Sequence, residues 1–121
     1  MVIGIDSIEI DSIENSIKSS RFVERVYGEL ELSELELCGE SQKSQRFAAL
    51  FAAKEAFSKA LGTGIRGFSL NEVEVLHKEN GKPYIYLSGN AKELAQKTGY
   101  NFEISITHTK SVATAVVIGY K

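Results

Sequence analysis

The stretch from about Gln45 to Leu61 constrains the fold most, because it reads as one long helix with a hard stop. Phe47, Leu50, Phe57 and Leu61 recur at helical spacing and form a packing stripe. Gly62 and Gly64 end it, since glycine enters the left-handed cap conformation without steric cost. A second face differs. Glu55, Ser58, Lys59 and Gly62 stand at i, i+3, i+4 and i+7, so an acid, a hydroxyl, a cation and a glycine line up. Such a face can serve a hard cation, a phosphate or a closely approaching backbone. Lys54 falls in line with Leu50, Phe57 and Leu61, so its stem should pack while its head must reach water, a carboxylate or a phosphate.

The flanks complete an α+β domain, with helices mainly in the first half packed on a mostly antiparallel sheet. Val2 to Ile5 is a short apolar strand that exits at Asp6. From Ile8 to Leu37 the composition is helical and acidic. Ile13 and Ile17 form one apolar pair there, and Phe22, Val23 and Val26 follow Ser20 as a possible cap. Ser33 and Glu36 have capping-box spacing, with Leu32 and Leu37 placed to staple it. In the second half, Glu72 to Lys78 and Pro83 to Leu87 flank Asn80-Gly81, a strong hairpin signal. A short helix begins near Ser88 and Asn90 and stops at Gly99. Phe102, Ile104, Ile106 and His108 alternate with polar residues as a strand, and Val112 to Ile118 is the last strand. The first strand is expected to join this sheet, and residues 1–121 to form a single domain.

The totals exclude several classes. No apolar run reaches bilayer length, and the amino terminus lacks the basic region of a secretion signal. A net charge of -2 argues against a general nucleic-acid binder. Cys38 is the only cysteine, which excludes an internal disulfide and fits a reducing cytoplasm. With only His77 and His108 present, a histidine metal site is not expected.

Taken singly, the polar residues have ordinary readings. Asp6 suits a turn or helix cap, Glu55 a solvated acid paired with Lys59, and Gly81-Lys82-Pro83 a hairpin tip. Together they resemble something specific. Gly4-Ile5-Asp6, then Phe51-Ala52-Ala53-Lys54-Glu55-Ala56 with Lys59 and Gly62-Thr63-Gly64, then Gly81-Lys82-Pro83, then Ser105-Ile106-Thr107-His108-Thr109 resemble the holo-acyl carrier protein synthases. These are the short bacterial type of 4'-phosphopantetheinyl transferase. The resemblance runs in order along nearly the whole chain.

It implies a transferase that moves 4'-phosphopantetheine from coenzyme A to a serine of an acyl carrier protein. Adenosine 3',5'-bisphosphate would be released, and the reaction would serve fatty acid biosynthesis in the cytoplasm. The family's metal-binding acids fall on Asp6 and Glu55, a donor set suited to Mg²⁺. Lys59 would sit over the diphosphate, completing a catalytic set of Asp6, Glu55 and Lys59. Lys54, Ser58, Gly62, Lys82, His108 and Thr109 would join Lys59 in holding coenzyme A, with His108 near the adenosine and its 3'-phosphate. The resemblance also implies a homotrimer with sites between subunits, and no partnership with nucleic acid or membrane. The family commonly carries basic residues just after the metal aspartate to grip the acidic carrier protein. This chain has Asp11, Ser12 and Glu14 there, and Lys18, Arg21 and Arg25 follow. Two alternatives are a non-catalytic module that binds coenzyme A or carrier protein, and a phosphohydrolase that cleaves the diphosphate with water.

Overall fold

The computed structural model describes residues 1–121. Strand β1 (Val2–Glu9) leads into three short helices, α1 (Ile10–Ser16), α2 (Ser20–Val26) and α3 (Glu29–Glu36). The long helix α4 (Lys43–Leu61) follows a 3-10 turn at Glu40–Gln42. A hairpin of β2 (Val73–His77) and β3 (Pro83–Leu87), helix α5 (Gly89–Thr98) and a second hairpin of β4 (Asn101–His108) and β5 (Val112–Tyr120) complete the chain. The strands form two antiparallel sheets, ordered β1-β5-β4 and β2-β3. The first strand therefore pairs with the last, with Gly4 opposite Val117 and Asp6 opposite Ala115.

α4 packs across the three-stranded sheet. Ala48, Ala52, Ala53, Ala56 and Phe57 are wholly buried, and so are Ala113 and Val117 on the facing strand. Small residues on both sides let helix and sheet approach closely. The helix is buried on more than the single stripe expected, because α1, β2 and α3 pack on it in addition to the three-stranded sheet. Gly62 ends it at φ 83°, in the left-handed region. The other face of the sheet is uncovered: Ile3 is 66% and Ile5 59% exposed.

Several boundaries differ from the sequence reading. β1 continues to Glu9, so Asp6 lies inside the strand rather than at its exit. Ladder pairing with β5 runs to Val112 and keeps the chain extended there. Ser19, not Ser20, caps α2, its Oγ accepting from Phe22 N at 3.2 Å. The Ser33–Glu36 pair caps nothing, because both residues lie within α3. That helix begins after Gly28, where Glu31 Oε1 accepts from Gly28 N and Glu74 Oε1 from Leu30 N and Glu31 N. α4 starts at Lys43 rather than Gln45.

Candidate active site

β1 and α4 bring three of the expected residues together. Lys59 Nζ lies 3.2 Å from Asp6 Oδ1 and donates to Ile5 O at 3.0 Å. Asp6 is largely covered while Lys59 is over half exposed, so the ammonium reaches from solvent onto the strand. Glu55 is one turn earlier on α4. Burial pushes its carboxyl above the usual carboxylate range, the charge of Asp6 adds to this, and Lys59 opposes it. Two carboxylates thus share a site with one cation. Either an added proton or a bound cation would relieve their repulsion.

A second cluster gathers at the other end of α4. His108, at the end of β4, accepts through Nδ1 from Gln45 Nε2 at 2.8 Å. Both line a cleft of about 410 Å³ with Arg46, His77, Gly81 and Pro83. His77 Nδ1 is 3.0 Å from Glu34 Oε1 on the cleft wall. Gln45 and Arg46 were not among the expected site residues; their place follows from where α4 begins, which the sequence located only approximately. Gln45 and Glu55 are ten residues apart on this helix, about 15 Å along its axis.

Not every expected ligand contact is open. Lys54 is wholly buried, its Nζ 2.6 Å from Glu31 Oε1, and it also donates to Leu70 O and Val73 O. Its three N–H groups are used, so it has none for coenzyme A. Ser58 is buried as well and donates to Lys54 O at 3.0 Å, so it does not share the open face of Glu55 and Lys59. Burial alone draws Lys54 down and Glu31 up, and each opposes that shift in the other. The three acceptors around Nζ match an ammonium ion. Gly62 is exposed at the helix end. Lys82 pairs with Glu103 at 3.4 Å on the surface, and Thr109 Oγ1 accepts from Ser111 N and Val112 N to close the β4–β5 turn.

Comparison with known proteins shows the family. Residues 2–117 match the 4'-phosphopantetheinyl transferase superfamily. A holo-[acyl-carrier-protein] synthase of Fusobacterium nucleatum is 41% identical over 122 residues, covering 98% of each chain. The crystal structure of holo-[acyl-carrier-protein] synthase from Neisseria meningitidis superposes with a TM-score of 0.90 at 30% identity, covering 100% of both chains. The Bacillus anthracis synthase, solved in complex with CoA (3',5'-ADP), gives 0.82 at 35% identity over 98% of this chain and 94% of that one. The chain belongs to the 4'-phosphopantetheinyl transferase superfamily, as an enzyme of the holo-[acyl-carrier-protein] synthase type.

Proposed function

We propose that this chain, acting as one domain, transfers 4'-phosphopantetheine from coenzyme A to a serine hydroxyl of an apo-acyl carrier protein. The serine oxygen bonds to the phosphorus bearing the pantetheine arm, the hydroxyl proton is lost, and adenosine 3',5'-bisphosphate leaves. The product would supply fatty acid synthesis in the cytoplasm. The observation that carries this reading is the Asp6–Glu55–Lys59 cluster, set by β1 and α4 in a chain of this family.

Asp6 and Glu55 fit Mg²⁺: they are hard oxygen donors whose mutual repulsion a divalent cation offsets. No third histidine, cysteine or acidic side chain completes a cage, which leaves ligand positions for diphosphate oxygens and water. When bound, the ion would polarise the attacked phosphorus and offset charge on the leaving group. Lys59, held at the mouth of the site by Asp6 and Ile5 O, would bind the diphosphate. His108 and Arg46, in the cleft, would hold the adenosine end and its 3'-phosphate. The nucleophile comes from the partner, so this chain needs none.

The separation of the two clusters along α4 supports a site shared between copies, one supplying Asp6 and Glu55 and another the His108 cleft. The uncovered sheet face with Ile3 and Ile5 supports assembly into a homotrimer. At limiting coenzyme A, mixing Glu55→Gln chains with His108→Ala chains should then raise activity above that of either variant alone. Release of adenosine 3',5'-bisphosphate should require apo-carrier protein. Release without it would indicate hydrolysis and contradict transfer; binding of coenzyme A with no release under any condition would indicate a non-catalytic module.

A further inference from the structure

β1 meets α4 at a distance only glycine permits. A Cβ built on Gly4 would stand 2.6 Å from Ala60 N and closer still to Ala56 O. Both atoms are helix backbone, so no side-chain rotation relieves the contact. Gly4 does not have a positive φ, so its conformation does not call for glycine; the approach of the helix does. The two atoms it meets are informative. Ala56 directly follows Glu55, and Ala60 directly follows Lys59. Asp6 lies two residues on from Gly4, on the same strand face, and its Oδ1 meets Lys59.

We propose that Gly4 is a positioning residue that sets the gap between the Asp6 and Glu55 carboxylates and fits it to a small divalent cation. This rests on reading those two acids as metal ligands. A methyl group at position 4 would push β1 off α4. Asp6 would move with the strand, while Glu55 and Lys59 would stay with the helix. Mg²⁺ accepts oxygen ligands only at about 2.0–2.1 Å and in near-octahedral order. A shift of about half an ångström in one ligand is therefore felt.

The test uses the intact protein with coenzyme A present and carrier protein absent. Mn²⁺ is titrated and its free form followed by electron paramagnetic resonance. Gly4→Ala should weaken Mn²⁺ binding by about tenfold or more, as lost support for a ligand does. Adding Asp6→Glu to that variant should recover affinity, because the extra methylene spans the widened gap. In the otherwise unchanged chain, Asp6→Glu should instead weaken binding. A merely destabilising glycine replacement does not give this reversal of sign.

Gly119→Ala is the control for general strain. Its Cβ would meet Val2 Cγ2 at 2.7 Å and Phe102 Cε1 at 2.8 Å, side chains that can turn aside. It should lower thermal stability and leave Mn²⁺ affinity unchanged. A folded Gly4→Ala protein that binds Mn²⁺ like the wild type overturns the proposal. So does an Asp6→Glu protein that binds it as well as the wild type, a result that decides the matter even where Gly4→Ala does not fold. Failure of the underlying metal reading looks different: the wild type would then show no Mn²⁺ binding that Asp6→Asn or Glu55→Gln removes.

Discussion

Lys54 Nζ and Glu31 Oε1 lie 2.6 Å apart with neither side chain exposed to solvent. The pair ties α4, one residue before Glu55, to the start of α3. Glu31 also accepts from Val75 N at 2.8 Å, and so joins β2 to the same knot. The Lys54 ammonium lies over the Tyr27 ring at 5.5 Å, and the Tyr27 hydroxyl donates to Phe47 O at 2.8 Å. Burial, and then the nearby Glu31 charge, hold that phenol well above its usual range.

Removing one partner leaves a buried charge unpaired, which costs about 3–5 kcal/mol. Lys54→Met should therefore destabilise the fold by that order in urea denaturation. Glu31→Gln added to Lys54→Met should recover part of the loss, because the side-chain amide carries no charge and still accepts from one of the two backbone N–H groups, Gly28 N or Val75 N. A double variant less stable than Lys54→Met would contradict the ion-pair account.

Glu55 gives a pH dependence with a definite sign. Its carboxyl titrates above the ordinary carboxylate range in the folded protein, with Asp6 and Lys59 as the charged groups facing it. Between the unfolded and folded values the native state binds more protons, so metal-free stability falls as pH rises through that window. Transfer activity, which needs the ionised acid to hold the cation, should fall toward low pH, and over a more acid range than the metal-free melts, because a bound cation favours the carboxylate. Glu55→Gln should lose the activity and flatten that part of the stability profile. Thermal melts of the metal-free proteins across mildly acid pH check this; parallel profiles for wild type and Glu55→Gln would refute it.

The two ends of α4 should separate in steady-state kinetics. Lys59→Ala should mainly lower turnover, since charge grows on the diphosphate as the bond breaks. His108→Ala, and to a lesser degree Gln45→Ala, should mainly raise the coenzyme A KM, because the proposed function sets them against a remote part of the ligand. An unchanged coenzyme A KM in His108→Ala would remove the cleft from the binding site.

Carrier-protein docking is expected at α2. Arg21 and Arg25 border a cleft whose apolar wall includes Phe22, Phe51 and Phe68, a surface suited to an acidic, amphipathic helix. Arg21→Glu should raise the carrier-protein KM and flatten its salt dependence, with coenzyme A binding nearly unchanged. Lys18 should matter less. It lies in the turn between α1 and α2, not on one helix with the two arginines as their spacing would allow. If Arg21→Glu and Arg25→Glu both left carrier-protein kinetics untouched, docking would lie elsewhere, such as near Lys43 and Arg46.

What the sequence revealed was mostly local. Asn80-Gly81 marked a hairpin, and Gly62 and Gly99 marked helix ends, because glycine chemistry acts within a few residues. The position of Lys54 on an apolar stripe showed that its amine needed a partner. The identity of that partner was not legible, since Glu31 lies over twenty residues away. Glu74 caps α3 from a strand more than forty residues off, and no spacing rule reaches that far. Ser58 was misread for a related reason. Its helical phase matches Glu55 and Lys59, but the core of α4 extends past the stripe and encloses it. The split into two sheets depends on which strands pair, and alternation alone does not fix that.

Transfer of phosphopantetheine at the Asp6–Glu55 pair would change the mass of the acceptor protein. Intact mass spectrometry of an apo-carrier protein, incubated with this chain, coenzyme A and Mg²⁺, tests it most directly. The carrier protein should gain one phosphopantetheine. EDTA should block the gain, and Asp6→Asn or Glu55→Gln should slow it by about two orders of magnitude or more. A carrier protein of unchanged mass, or full rates in either variant at saturating coenzyme A, would contradict the account.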